Sequence, residues 1–416
     1  MSPRAWSRSY ALNWSASMSD LATLGDHVAI ITGNPFKSSC YTGDSNGIRL
    51  LRGDNVAQGK IRWDSAKYWP VEDAGSYDLY QLKEGDVIAA MDRPWIEAGL
   101  KYAELRSGDV PSLLVQRVAC LRALPSLDQR YLAYLIGSPG FTSYVLGVQT
   151  GTAVPHISGK QILDFKFLLP SLHEQKAIGE VLGALDDKIA VNDRIARKSR
   201  EMITLKYEES VASGVKSTRI GEIAELFDGP HATPEKTESG PWFLSISSLS
   251  GGRLLLGESA HLSEDDFARW TRRVTPKPGD VLFSYETRLG DAALMPAGIR
   301  ACLGRRMALL RPRDVGSRTL LQAFLAPSFQ ETIRKYAIHG ATVERISLTD
   351  FPSWLIELPA QEQNQSESIF AKFDDLAQES ERENETLTAL RDALLPKLMS
   401  GQIRVRDAVK VVEDVT

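Results

Sequence analysis

The sequence predicts an α+β fold: two mainly β lobes with short helices, related by a pseudo-two-fold repeat and separated by two long antiparallel helices forming a coiled coil. Three observations predict it. Residues 171–215 place Leu182, Leu185, Ile189, Asn192, Ala196, Ser199 and Ile203 at steps of three and four, the spacing of a coiled-coil seam. The chain then repeats this run: Leu358-Pro359 echoes Leu169-Pro170, and Phe373-Asp374-Asp375 echoes Leu185-Asp186-Asp187. The lobes repeat as well, with Gly85-Asp86-Val87-Ile88 answered by Gly279-Asp280-Val281-Leu282, and Arg117-Val118-Ala119 by Arg306-Met307-Ala308. A period of nearly half the chain marks a duplicated domain rather than a solenoid.

Taken in order, residues 1–20 are an aromatic-spotted lead-in (Trp6, Tyr10, Trp14), expected to dock on the body. They lack the apolar centre of a signal peptide, and no run in the chain approaches the roughly 18 apolar residues of a membrane span. The first lobe, 21–170, consists of short β-like runs cut by Gly and Asp, with a helix near 126–136. The first long helix, 171–215, opens on a capping box, Ser171 with Glu174 three residues on. No Pro or Gly interrupts it after Gly183, and Gly214 supplies its exit. At 1.5 Å per residue it runs roughly 60 Å. Asn192 and Ser199 leave the seam polar, which serves register as much as stability.

The second lobe, 216–359, repeats the first with a helix near 318–336. The second long helix, 360–400, has Ile369, Phe373, Leu376, Ser380, Glu383, Leu387, Leu390 and Leu394 as its expected seam. Pro396 should bend or end that helix, since proline removes a helical donor. The tail, 401–416, is then expected to cap the bundle near the N-terminal lobe.

Charge does not veto a nucleic-acid partner. The net charge is -4, but 12 acidic residues against 7 basic ones lie in 360–416, while residues 1–170 hold 17 basic and 16 acidic and residues 216–359 hold 18 and 17. Each lobe is therefore slightly positive, without the strongly basic signature that would demand nucleic acid. Cys40, Cys120 and Cys302 are too few and too scattered for a disulfide frame or a metal site, so a reducing cytoplasm is the default. A search for catalysis fails: there is no Asn/Asp-Pro-Pro-Tyr/Phe, no Gly-rich cofactor loop, and Gly159-Lys160 lacks the rest of a phosphate loop. Asp186-Asp187 and Asp374-Asp375 are adjacent on helix exteriors and point different ways, which disfavours a shared-proton pair.

The motifs LLPSLHEQKAIGEVLGALDDKI, the echo LPAQEQNQ with FAKFDDL, the closing stretch Leu394–Val405 (LLPKLMSGQIRV) and the second-lobe opening Phe227-Asp228-Gly229-Pro230-His231 resemble the DNA-specificity subunits of type I restriction-modification systems. The resemblance covers nearly the whole chain; the first helix departs from it in lacking the Leu-Leu-Pro-Lys-Leu ending. It implies a non-catalytic subunit in which each lobe reads half of a split site on double-stranded DNA. The helices would set the gap and dock two modification subunits, whose S-adenosylmethionine serves adenine N6 methylation. ATP and magnesium would belong to a motor-nuclease partner in systems that restrict. Two alternatives remain: a specificity chain of a type II-like fused methyltransferase-nuclease, or a helical scaffold that does not touch DNA.

Candidate DNA contacts are the polar residues of loop-like segments. In the first lobe these are Arg93, Lys101, Arg106, Thr152 and His156; in the second they are His231, Thr233, Arg272, Arg273, Arg288, Thr342 and Arg345. Arginine can read guanine with two bonds, and Thr or His can hold phosphate. His231 rests on the resemblance alone. For each arginine a solvated charge or a structural ion pair is the competing reading, because the charge inventory selects no face. Asp186, Asp187, Asp374 and Asp375 lie on helix faces expected to be left over after pairing, where they are either solvated or dock the modification subunits.

Overall fold

A computed structural model describes residues 21–151, 153–339, 343–360 and 363–414. The lead-in with Trp6, Tyr10 and Trp14 lies outside them, as do Thr152 and Thr342. Two compact units make up the chain: Met1–Val191 with Glu383–Thr416, and Asn192–Arg382. Each unit thus takes one lobe and half of each long helix.

In unit 1 the central sheet is antiparallel, in the order Val28–Thr32, Val118–Ala123, Val87–Ala90, Tyr102–Glu104. Alternation along its strands explains why they read as uninterrupted apolar runs. Val87, Ala89, Ala119 and Leu121 face the helices, while Ile88, Ala90, Val118 and Cys120 face a second apolar cluster around Leu51 and Leu105. Burial there pushes the Cys120 thiol pKa far up, so it is an inert core residue. Unit 2 repeats the sheet with Ala224–Asp228, Met307–Pro312, Val281–Ser284 and Ala292–Leu294. A second sheet recurs too, mixing parallel and antiparallel pairs: Lys67–Trp69, Ile48–Leu51, Ser112–Leu114 in unit 1, and Ala260–His261, Thr237–Phe243, Ala301–Cys302 in unit 2.

The repeated Gly-Asp turn has a structural cause. Buried Asp86 holds Arg122 with two bonds of 2.7 Å and accepts from the Lys83 N–H at 2.8 Å. Asp280 does the same to Arg311, at 2.9 and 2.7 Å, and to the Lys277 N–H at 2.8 Å. A buried carboxylate persists because both of its oxygens accept hydrogen bonds, two of them from a charged guanidinium.

Where one helix is expected in each lobe, there are two. Gln129–Ile136 is followed by Pro139–Val148, and Ser317–Leu325 by Pro327–Tyr336. Pro139 and Pro327 occupy first-turn positions, where a missing N–H costs nothing, so each starts a new helix.

The long helices are Leu172–Ala212 and Gln363–Met399. Ser171 and Glu174 form the capping box, with bonds of 3.1 and 3.3 Å. Within unit 1 the two segments run antiparallel: Ile178, Leu182 and Leu185 share a core with Leu387, Leu394 and Leu398, and Asn384 Nδ2 donates to the Ile189 carbonyl. Within unit 2 Arg200 meets Glu381 at 2.7 Å and Ser210 meets Ser366 at 3.4 Å, again antiparallel. Polar Asn192, Ser199 and Ser380 are buried in the seam as expected.

The second helix is phased differently from the expectation in one respect. Phe370 and Ala377 are buried, whereas Ile369 is half-buried and Leu376 is 48% exposed. The true seam passes through Phe370, Phe373, Ala377, Ser380, Asn384, Leu387, Arg391, Leu394 and Leu398. Asn384 and Arg391 disguise it, because their cross-helix partners, the Ile189 carbonyl and Asp186, lie far away in sequence. Pro396 also fails to end the helix, which continues to Met399. Only one turn follows the proline, and Leu394 and Leu398 bury on either side of it. The tail is a helix, Val405–Glu413, whose Ala408 and Val412 pack on the unit 1 core.

The paired aspartates are only in part left-over faces: Asp187 and Asp375 stay exposed, while Asp186 and Asp374 are mostly covered. Asp186 accepts from the Tyr134 hydroxyl at 2.6 Å and from Arg391 at 2.8 Å; Asp187 meets Arg130 at 2.6 Å and Arg106 at 3.3 Å. In unit 2 Arg318 spans Asp374 at 3.0 Å and Asp375 at 3.4 Å. All four therefore tie a lobe or the opposite helix within their own unit, because the lobe helices lie against that face.

Candidate nucleic-acid interface

One corner recurs in both units with the same backbone bonds. In unit 1 the strand Val87–Ala90 leads into Met91, Asp92 and Arg93. The Met91 N–H donates to the Arg117 carbonyl at 2.9 Å, the Ile157 N–H to the Met91 carbonyl at 2.9 Å, and the Arg93 N–H to the Pro155 carbonyl at 2.6 Å. In unit 2 the same three bonds join Tyr285 to Arg306 (3.2 Å), Ile346 to Tyr285 (2.8 Å) and Thr287 to Glu344 (3.3 Å). A strand end, the turn before the next strand and a short hairpin are thereby clamped together.

The side chains at these corners are charged. Asp92 Oδ2 lies 3.7 Å from Arg117 Nε, and Glu286 Oε2 lies 3.1 Å from Arg306 Nε. Exposed Arg93 and His156 flank Asp92, and His156 Nε2 is 3.1 Å from Thr150 Oγ1. Lys101 is adjacent and half-buried; burial holds its ammonium below the ordinary lysine range, and its Nζ donates to the Gly53 carbonyl. In unit 2 exposed Arg345 lies opposite Glu286 across an antiparallel backbone bridge. Asp228, beside the Arg306 turn, gathers His231 at 3.2 Å and Arg273 at 3.5 Å. Burial, and then Asp228, push the Tyr285 phenol up to about 12, so it stays a neutral donor.

The remaining sequence candidates fall elsewhere. Arg106 sits at the far end of its strand and is bound to Asp187. Arg272 and Thr233 are exposed, and Arg288 pairs with Asp291 at 2.5 Å while donating to the Leu249 carbonyl at 3.3 Å. Arg117, Arg306, Asp92 and Glu286 were not among the candidates. Their signal was the repeat itself, since Arg117-Val118-Ala119 and Arg306-Met307-Ala308 are legible as matched, but their geometry is not. No cluster of potential metal ligands and no helix long and apolar enough to cross a membrane occurs among the described residues.

Residues 23–198 match the family model described as the type I restriction modification DNA specificity domain. A Methanocaldococcus jannaschii protein, the type I restriction enzyme MjaVIII specificity subunit, is 34% identical over 185 residues, covering 44% of this chain and 42% of that protein. Over that stretch the chain is similar to type I restriction-modification specificity subunits. The Escherichia coli EcoAI specificity subunit is 34% identical over 38% of this chain and 27% of its own length. The chain thus spans less than half the length of these two relatives in the matched region. The Escherichia coli EcoBI specificity subunit aligns more broadly, at 22% identity over 91% of this chain and 85% of that protein. A crystal structure of a type I restriction-modification S subunit from M. genitalium shares the fold, with a TM-score of 0.56, 16% identity and coverage of 91% and 95% of the two chains.

Proposed function

We infer that this chain is a type I restriction-modification specificity subunit: a non-catalytic, sequence-specific DNA-binding subunit that reads a bipartite, asymmetric site on double-stranded DNA. One observation carries the reading: the same clamped corner occurs once in each lobe, with different side chains around a common frame. A reader of two unlike half-sites needs that combination, because base edges differ while the duplex backbone does not. The long helices would set the gap between half-sites, as half-site spacing is set in dimeric readers. Two modification subunits would dock on the chain and bring S-adenosylmethionine for adenine N6 methylation; a motor-nuclease subunit using ATP and magnesium would add restriction. The work takes place in the cytoplasm, where the DNA is.

The test is methylome sequencing of cells expressing this chain with its neighbouring modification gene. A split adenine motif is expected, and replacing residues 216–359 by another lobe should change one half of it. Both halves changing together would end the one-lobe-per-half assignment. Absence of salt-dependent duplex binding by the purified complex would favour a protein scaffold instead.

A further inference from the structure

Four described residues other than glycine have a left-handed backbone, and they fall at two matched positions of the two units. One pair is Arg93 (φ 45°) and Thr287 (φ 71°); the other is Arg117 (φ 69°) and Arg306 (φ 68°). A Cβ makes this region cost about 1–2 kcal/mol, and glycine or asparagine is its usual occupant. The first pair differs between units, whereas the second is arginine twice. Nothing in the turn itself requires that side chain. The turn contributes its carbonyl to Met91 in one unit and Tyr285 in the other, a bond glycine would make without strain.

What the two arginines share is a carboxylate beside the guanidinium and a side chain still open to solvent, 65% exposed for Arg117 and 31% for Arg306. A guanidinium has five N–H donors, and one carboxylate uses only part of them. Arg306 Nη1 also donates to Thr287 Oγ1 at 3.0 Å, so its direction is held more firmly.

Resting on the DNA-binding reading above, we propose that Arg117 and Arg306 are matched phosphate anchors, one for each half-site, that grip the duplex backbone without reading its sequence. The choice of phosphate over base follows from what varies. The anchors are the same residue on the same backbone bonds, while their neighbours differ: Arg93 against Thr287, His156 against Arg345. Two lobes that read different bases need different groups at base edges, yet both must seat on the same phosphodiester chain. Asp92 and Glu286 are positioning residues that aim the guanidinium, and the arginine's own charge offsets their repulsion of phosphate.

Arg117→Gly and Arg306→Gly separate the anchor from the turn, because glycine relaxes the backbone while deleting the side chain. Arg→Lys at either position restores the charge. The full chain, purified with its modification subunits, is titrated across salt with a duplex carrying the methylated motif and with an unrelated duplex of equal length. Each glycine variant should weaken both duplexes by a similar factor, roughly tenfold. The slope of log K against log salt should become shallower by about 0.9. Lysine should recover most of the loss, and the methylated motif should not change. Unchanged affinity together with a raised melting temperature would reduce both arginines to turn residues. A loss confined to the cognate duplex, or an altered motif, would make them base readers; either outcome overturns the proposal. Failure of the wild-type complex to bind any duplex in a salt-dependent way would instead sink the underlying functional reading, a result distinct from a variant that binds like wild type.

Discussion

The matched helices Gln129–Ile136 and Ser317–Leu325 each begin under a carboxylate, but in unit 1 that carboxylate belongs to the lobe and in unit 2 to the long helix. Asp128 caps Gln129–Ile136 and accepts from the Tyr131 N–H at 3.0 Å, while Gly179 of the long helix lies opposite; a Cβ there would meet Asp128 Oδ1 at 3.4 Å. In unit 2 the matched positions are exchanged. Gly316 precedes Ser317–Leu325, and Glu367 of the long helix accepts from the Arg318 and Thr319 N–H groups at 3.1 and 2.9 Å. A Cβ on Gly316 would lie 2.2 Å from Glu367 Oε2. There is room for one carboxylate at the orphan donors of a helix start, so each unit has one carboxylate and one glycine, on opposite sides of the contact. Two units with the same frame have therefore become keyed differently, and each lobe fits its own half of the helices.

The largest expected effect tests what the units share. Asp86→Ala and Asp280→Ala each strand a partly buried arginine and a turn N–H, at a cost of about 3–5 kcal/mol. Hydrogen exchange followed by mass spectrometry should show Asp86→Ala loosening unit 1 and Asp280→Ala loosening unit 2. Equal losses would establish the turns as equivalent, and a loss spread over both units would break the division into two bodies.

The exchanged carboxylate should give a smaller but more telling result. Gly316→Asp puts two carboxylates in one place and should cost about 2–4 kcal/mol, and Glu367→Ala, which leaves buried donors unpaired, about 2 kcal/mol. Combined, they rebuild the unit 1 arrangement, and the double variant should be more stable than Gly316→Asp alone. Additive losses in urea unfolding would show that the two sites are not alternatives.

The smallest effect concerns acid. Burial opposes ionisation of Asp187, but hydrogen bonds and attraction from Arg130 and Arg106 outweigh it and hold its carboxyl below the usual range. A depressed carboxyl contributes stability above its unfolded pKa, near 4, and loses it as pH falls through the folded value. Unit 1 should therefore weaken below about pH 4, and Asp187→Asn should flatten that part of the profile. An unchanged profile in the variant would assign the acid sensitivity to other groups.

Much of the architecture was legible because it is local or periodic. The capping box at Ser171, the first seam through Leu182, Leu185 and Ile203, and the repeated Gly-Asp turns follow from spacing alone. The second seam was read half out of phase, since Asn384 and Arg391 look like surface residues until Ile189 and Asp186 are brought beside them. Asp186 and Asp374 differ from expectation for the same reason: the sequence shows them on a helix face but not which lobe covers it. Of the candidate interface, Arg93, His156, His231, Arg273 and Arg345 gather at the matched corners, whereas Arg106 belongs to the joint with the long helix.

Sequence periodicity by itself determined that there are two similar lobes and two long amphipathic helices, because an apolar stripe and a capped start depend only on neighbours along the chain. Which side of each contact supplies the carboxylate, and which turns force an arginine into a left-handed backbone, only the tertiary structure decided. Those are properties of groups far apart in sequence that compete for the same few cubic ångströms, and no spacing rule records who occupies them.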